Sequence, residues 1–212
     1  MSFPVVIREL GLRDYSATWK AMRHFTAHRR PEHNSEIWLL EHPPVFTQGQ
    51  AGKPEHLLDP GAIPVVQSDR GGQITYHAPG QIIAYLLLDL KQTGKGIRSL
   101  VRAMEDSVIA LLETQGISAY GKPKAPGVYV DEKKIAALGL RVKRGYTYHG
   151  LALNHSLDLA AYSRINPCGY AGQKVTRMID LGIHLSQHQT QRLLIQQLAQ
   201  TLDFTPLWTT DD

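Results

Sequence analysis

The sequence predicts an α+β domain, with strands and helices in mixed order, on three observations. An apolar stripe at helical spacing, Leu100, Val101, Met104, Val108, Leu111 and Leu112, is flanked on both sides by extended segments. Three extended runs between Gly127 and Ser156, broken near Asp131-Glu132-Lys133 and Lys143-Arg144-Gly145, carry the signature of a β-meander. A further helical stretch from Gln189 to Leu202 follows, so strands and helices neither alternate regularly nor segregate. With 212 residues and no repeat, low-complexity stretch or obvious linker, one catalytic-sized domain over residues 1–212 is expected.

The elements follow in order. Val5 to Leu10 reads as a short strand. Asp14 is placed to cap a helix whose apolar positions are Tyr15, Trp19, Met22 and Phe25, with Pro31 helping to end it. Ile37–Leu40 and Val45–Thr47 are extended pieces split by His42-Pro43-Pro44. From Pro64 to Leu90 the chain is extended, with breaks at Asp69-Arg70-Gly71-Gly72 and Ala78-Pro79-Gly80. Gly116 is positioned to terminate the Leu100 helix.

Composition narrows the function. Hydrophobic residues make up 42% and charged residues 20%, as in an ordinary globular protein. The N-terminal residues lack the basic start and long apolar run of a signal peptide, and Ile82 to Leu88 is too short to span a bilayer. A single cysteine excludes an internal disulfide framework and suits a reducing compartment, so a cytoplasmic location is expected. The net charge is +4, yet no run of five or six basic residues occurs, and Arg141-Val142-Lys143-Arg144 reads as a solvated hairpin end. Neither nucleic acid nor a membrane is expected as a partner.

Four segments carry candidate chemistry. Cys168 lies in Asn166-Pro167-Cys168-Gly169-Tyr170-Ala171-Gly172, a Pro/Gly loop unlike the apolar surroundings of a structural cysteine, and fits a nucleophile. In Arg70-Gly71-Gly72-Gln73-Ile74-Thr75-Tyr76-His77, alternation puts Gln73, Thr75 and His77 opposite Ile74 and Tyr76, so one face could line a cleft. The spacing of its glycines matches neither a P-loop nor a dinucleotide fingerprint. Lys133 and Lys134 open a strand and point to opposite faces, so one faces inward if the strand is half buried, where burial weakens the charged form; two exposed turn lysines are the favoured alternative from these residues alone. In Tyr148-His149-Gly150-Leu151-Ala152, Gly150 interrupts a strand and marks a close backbone approach.

Read together, RGGQITYHAPGQ at Arg70–Gln81, KIAALG at Lys134–Gly139, YHGLALN at Tyr148–Asn154 and NPCGYAG at Asn166–Gly172 closely resemble the octanoyl-[acyl-carrier-protein]:protein N-octanoyltransferases, the lipoyl(octanoyl) transferases. HPPVFTQGQ at His42–Gln50 reads the same way, with Gln48 where an apolar residue is usual. The resemblance runs from Phe3 to about Leu202, in order and spacing.

That resemblance implies the fold of biotin and lipoate protein ligases: a larger mixed sheet, a smaller sheet and flanking helices. It implies Cys168 as acyl-accepting nucleophile and Lys134 as the partner that favours the thiolate and moves protons. It assigns Arg70 to His77, the turn Ala137-Leu138-Gly139 and the run Gly150-Leu151-Ala152 to the acyl-binding walls, with His149 a possible further member. Octanoyl-acyl carrier protein is the implied donor. Lipoyl domains of 2-oxoacid dehydrogenase E2 subunits and the glycine cleavage H protein are the implied acceptors, and no metal or cofactor is called for. Oxyanion donors are expected among the amides of Gly71-Gly72 or Leu138-Gly139, with His77 or His149 nearby. The rival readings are an ATP-dependent lipoate or biotin ligase, which needs no nucleophilic cysteine, a Cys168–His77 or Cys168–His149 thiol hydrolase, and a non-catalytic module that binds carrier protein.

Overall fold

The computed structural model describes residues 2–123 and 125–209. Eleven strands form two sheets among the described residues. The large sheet contains β1 (Phe3–Leu12), β2 (Ser35–Glu41), β6 (Gln81–Leu87), β7 (Tyr120–Gly121), β8 (Val128–Val130), β9 (Lys133–Lys143), β10 (Tyr146–Asn154) and β11 (Phe204–Thr209). Their order is β11-β1-β2-β6-β10-β9-β8-β7. The small sheet, ordered β4-β3-β5, is built from β3 (Val45–Gln48), β4 (Val65–Gln67) and β5 (Ile74–His77). The expected mixed sheets are both present: β1 runs parallel to β2 and β11, whereas β6, β9 and β10 are antiparallel to their neighbours.

Burial explains why β6 is central. All of Gln81–Leu87 is buried, the pattern of a strand covered on both faces. On one face pack α3 (Ile97–Glu113) and α4 (Gln187–Leu202), whose Leu100, Met104, Val108, Leu194 and Leu198 meet Ile82, Ala84 and Leu86. On the other lies α1 (Tyr15–His28), where Met22 meets Ile83, Tyr85 and Ala152. Asp14 caps α1 as expected, accepting from the Ala17 amide at 2.8 Å. The meander is also present, and its second turn passes through Arg144 at φ 52° and Gly145 at φ 83°, the solvated hairpin end foreseen for that basic cluster.

Among the strands and α-helices, three were not anticipated, one of them the two-residue edge strand β7. α2 (Leu90–Thr93) is a single turn capped by Asp89 and stopped by Gly94 at φ 60°, and it begins at Leu90, where the expected extended stretch ends. β11 adds a parallel edge strand to β1 after the last helix, and Pro206 is tolerated there because an edge strand has spare amides.

Gly150 meets the close-approach expectation. A Cβ on it would lie 2.1 Å from the Ala84 carbonyl oxygen and 2.9 Å from Leu86 Cδ1. Gly150→Ala is therefore expected to force β10 away from β6 and to destabilise the fold by about 3 kcal/mol. A chemical denaturation midpoint equal to that of the unsubstituted protein would show that the strands are not so tightly apposed.

Candidate active site

Cys168 sits on one tight turn, Pro167–Gly169, with φ 58° and ψ 19°. A left-handed conformation at a non-glycine residue costs about 1–2 kcal/mol and holds the side chain in one direction. The turn is pinned on both sides. The Asn166 amide donates to the His56 carbonyl at 2.8 Å, and a bridge links Leu57 to Ile165. Beyond it, the Lys134 amide donates to the Lys174 carbonyl at 2.9 Å and the Thr176 amide to the Lys134 carbonyl at 3.0 Å. The parallel bridge between Val175 and Lys134 thus fixes the chain after the cysteine loop against the second residue of β9. Gly169 continues the turn at φ 80°, a left-handed conformation that glycine adopts without strain.

Strand parity gives the partner. Lys133 is exposed and Lys134 is buried, with its Nζ donating to Cys168 Sγ at 2.8 Å and to the Pro126 carbonyl at 3.1 Å. The ammonium also lies 5.2 Å from the Tyr129 ring centre. Space for it comes from Gly127, where a Cβ would be 2.9 Å from Lys134 Cε. Burial alone would favour the free amine. The charge and hydrogen bond of Cys168, with Tyr129, outweigh it and raise the lysine above its ordinary value.

A cleft of about 310 Å³ extends from this pair, within the range of small-ligand sites, on the order of 300–1,000 Å³. Its walls contain Arg70, Gly71, Gly72, Gln73, Ile74, Thr75 and His77 from one expected segment. Ala137, Leu138 and Gly139 come from the second, Gly150, Leu151 and Ala152 from the third, and His149 beside them. Tyr76 is the exception among the expected wall residues. Its ring instead packs on Phe46 at 5.3 Å and Tyr162 at 5.6 Å. Unforeseen lining residues include Tyr15 on α1, Ile83 and Tyr85 on β6, and Ile97 and Val101 on α3. No local pattern distinguishes these from ordinary core residues.

Arg70 organises the loop over the cleft. It is buried, and its guanidinium donates to the Thr47 carbonyl at 2.5 Å, the Gln73 carbonyl at 2.7 Å and the Gly71 carbonyl at 2.9 Å. The Gly71 amide is not free for an oxyanion, since it donates to the Leu140 carbonyl at 3.0 Å. This close crossing requires Gly139, whose Cβ would meet the Gly71 carbonyl oxygen at 2.7 Å. Both nitrogens of His77 are engaged, by Thr47 Oγ1 at 3.2 Å and Gln81 Oε1 at 2.8 Å. Neither His77 nor His149 supplies the hydrogen bond at the cysteine; Lys134 does.

Of the four buried histidines among the described residues, His42, His77 and His149 are held toward the neutral ring by burial, His42 being lowered to about 4. The unfolded chain therefore binds more protons below a pH of about 6.5, and stability falls with pH through the window down to about 4. His42 alone accounts for about 3 kcal/mol of loss across it. Urea melts at pH 7, 6 and 5 are expected to show a steadily falling midpoint, and an unchanged midpoint at pH 5 would refute neutral burial.

A narrow apolar cleft leading to a loop thiol suits a medium-length acyl chain presented as a thioester, and its relatives agree on the class: the molecule is an acyltransferase. The model of the lipoyl protein ligase A/B catalytic domain matches residues 14–199, and the chain belongs to that family. An octanoyltransferase of Pseudomonas putida (strain W619) is 56% identical over 204 residues, covering 96% of this chain and 95% of its own. One from Chromobacterium violaceum is 55% identical over 199 residues, covering 94% and 96%. Among solved structures, a bi-partite lipoate protein ligase from Thermoplasma acidophilum superposes with a TM-score of 0.77 at 17% identity, covering 100% of this chain and 88% of that one. Biotin protein ligase from Aquifex aeolicus gives 0.57 at 11%, covering 96% and 70%. These two likenesses establish the biotin/lipoate ligase-like fold. No helix of the described residues is long and apolar enough to cross a membrane.

Proposed function

We infer that this acyltransferase is an octanoyltransferase of protein lipoylation, a single catalytic domain working in the cytoplasm through a thioester on Cys168. The observation that carries the reading is the 2.8 Å contact between the buried Lys134 ammonium and Cys168 Sγ, opening onto an apolar cleft. The 56% identity to an octanoyltransferase supports the choice of acyl group.

The steps follow from charge and burial. The Cys168 thiolate attacks the octanoyl-carrier protein thioester, and the carrier's thiol leaves with a proton from Lys134. The anion beside Lys134 is then gone, and burial, the strongest single influence on this lysine, favours its free amine. Lys134 has become a base when the acceptor amine arrives. It takes the proton as the lysine of a lipoyl-domain protein attacks the octanoyl thioester, forming the amide and expelling the Cys168 thiolate. Pair and protons return to the starting state. E2 subunits of 2-oxoacid dehydrogenases and the glycine cleavage H protein carry suitable acceptor lysines. Seven buried carbons of the chain contribute on the order of 5 kcal/mol of gross binding at about 0.8 kcal/mol each.

Because a thioester is already activated, the first half-reaction needs no nucleotide. Incubation with octanoyl-carrier protein alone, then intact mass and peptide mapping, is expected to give one octanoyl adduct on the Cys168 peptide. A strict requirement for ATP would instead support the ligase reading, and free octanoate accumulating beside the acceptor would support a hydrolase.

A further inference from the structure

Of the three acidic side chains on α3, only Glu105 is buried. A carboxylate is rarely taken out of water without a partner, and the partner here is a backbone amide. Glu105 Oε1 accepts from the Gly127 amide at 2.8 Å.

That bond reaches the reacting pair through one short loop. Ala125, Pro126 and Gly127 lead into β8, and Ala125 and Pro126 line the cleft. The loop is held at both ends. Tyr129 Oη donates to the Ala125 carbonyl at 2.8 Å, and Glu105 takes the Gly127 amide. Between these anchors the Pro126 carbonyl accepts from Lys134 Nζ at 3.1 Å. Proline has no amide to anchor its own place, so the direction of that carbonyl depends on its neighbours. Gly127, at φ 145°, lies directly against the lysine: a Cβ on it would be 2.9 Å from Lys134 Cε and 3.1 Å from Nζ. Only glycine backbone therefore stands between the hydrogen bond of Glu105 and the ammonium.

The charges around the two groups can be named. Lys134 meets Cys168 Sγ and the Tyr129 ring; Lys122 lies 4.4 Å from the same ring and is engaged by Glu132 at 2.6 Å. Around Glu105 are Arg102 and Asp106, paired with each other at 3.0 Å on α3, and Lys134 across Gly127. Burial raises the Glu105 carboxyl above its ordinary value and Asp106 adds to this, while the Gly127 amide, Arg102 and Lys134 pull it back. When Cys168 becomes a thioester, the anion beside Lys134 disappears and the charge of Glu105 stays.

We propose that Glu105 is a positioning residue for acyl transfer, which fixes, through the Gly127 amide, the Pro126 carbonyl that receives the Lys134 ammonium, and whose charge across Gly127 steadies that ammonium once the thiolate is consumed. The inference rests on the proposed transfer through Cys168 and Lys134. A nearby carboxylate favours the charged lysine and so opposes burial, which favours the free amine. Removing that negative charge lets the free amine form at lower pH, and the half-reaction that uses it as a base moves with it.

The test is single-turnover transfer from preformed octanoyl-enzyme to the lipoyl domain of a 2-oxoacid dehydrogenase E2 subunit, followed from mildly acid to alkaline pH. The acceptor's own titration is common to every variant, so a difference between variants reports on Lys134. Glu105→Gln keeps an acceptor for the Gly127 amide and removes the charge. Its midpoint is expected about 0.5–1 pH unit below that of the wild type, with a plateau rate changed by less than about threefold. Glu105→Asp keeps the charge and withdraws it from the amide by one methylene. Its midpoint is expected to stay, while the plateau falls about tenfold in both half-reactions because Lys134 is less well held. A purely structural role would lower the melting temperature and move no midpoint. The proposal is overturned by an unmoved or alkaline-shifted midpoint in Glu105→Gln. It is equally overturned by a wild-type plateau in Glu105→Asp, which stands as the test should the glutamine variant fail to fold. A wild-type enzyme that forms no octanoyl adduct on Cys168 would overturn instead the reading on which the inference rests.

Discussion

Cys168→Ala is expected to yield no octanoyl-enzyme and to lower transfer by on the order of 10⁴-fold or more, the loss typical of removing a covalent nucleophile. The chain has one cysteine, so no second thiol can substitute. The geometry also separates this loss from a folding defect. Because Cys168 occupies the left-handed region at φ 58°, Cys168→Gly relieves backbone strain while deleting the thiol. That variant should melt no lower than the parent and yet form no adduct. An octanoyl adduct surviving in either variant, seen by intact mass, would move the nucleophile elsewhere and refute the assignment.

Lys134→Met is expected to split the two half-reactions. Methionine keeps the apolar stem that packs beside Gly127 and loses the ammonium that meets Cys168 and the Pro126 carbonyl. A thiol with a reference pKa near 8.5 is already a few per cent ionised at neutral pH, so losing the ammonium slows acylation by only about 10–30-fold. The acceptor amine must shed a proton to form the amide, and general base catalysis of that step is worth about 10²–10⁴-fold. The variant should therefore accumulate octanoyl-enzyme when both substrates are present, and raising the pH should restore part of the turnover. Single-turnover quench experiments on each half-reaction decide it. Complete loss of acylation with normal deacylation of preformed octanoyl-enzyme would remove Lys134 from the base role.

How much of this was legible in the sequence depended on whether the cause was local. Asp14 as a cap, the stripe of α3 and the turn at Gly145 follow from spacing within a few residues, and the structure has all three. Parity put Lys133 and Lys134 on opposite faces, but only the folded chain excludes two exposed turn lysines by burying Lys134. Gly150 announced a close approach, although not that Ala84 lay opposite it. The resemblance supplied the walls of the cleft, and Tyr76 departs from them because its ring is taken up by Phe46 and Tyr162, which alternation does not reveal, since Ile74 shares its face and still lines the cleft. Three features were out of reach. Tyr15, Ile97 and Val101 enter the cleft from helices that meet it only in the folded chain. Asp69 reads as a turn residue until Trp19, Tyr148 and His149 converge on it. β11 contains a proline and follows a helix, so only its pairing with β1 makes it a strand.

That last pairing has a mechanical consequence. β1 and β11 run side by side in the same direction, with Phe3 opposite Phe204 and Arg8 opposite Thr209. Tension applied ahead of Phe3 and beyond Thr209 pulls the two strands past one another along their length. It loads the hydrogen bonds between them together, where a hairpin pulled at its open end would unzip one rung at a time. Under an unfolding motor that drags the chain from beyond Thr209, the β1–β11 seam is the clamp that must shear before the sheet bearing the cleft can come apart, although the acyl pocket lies several strands away.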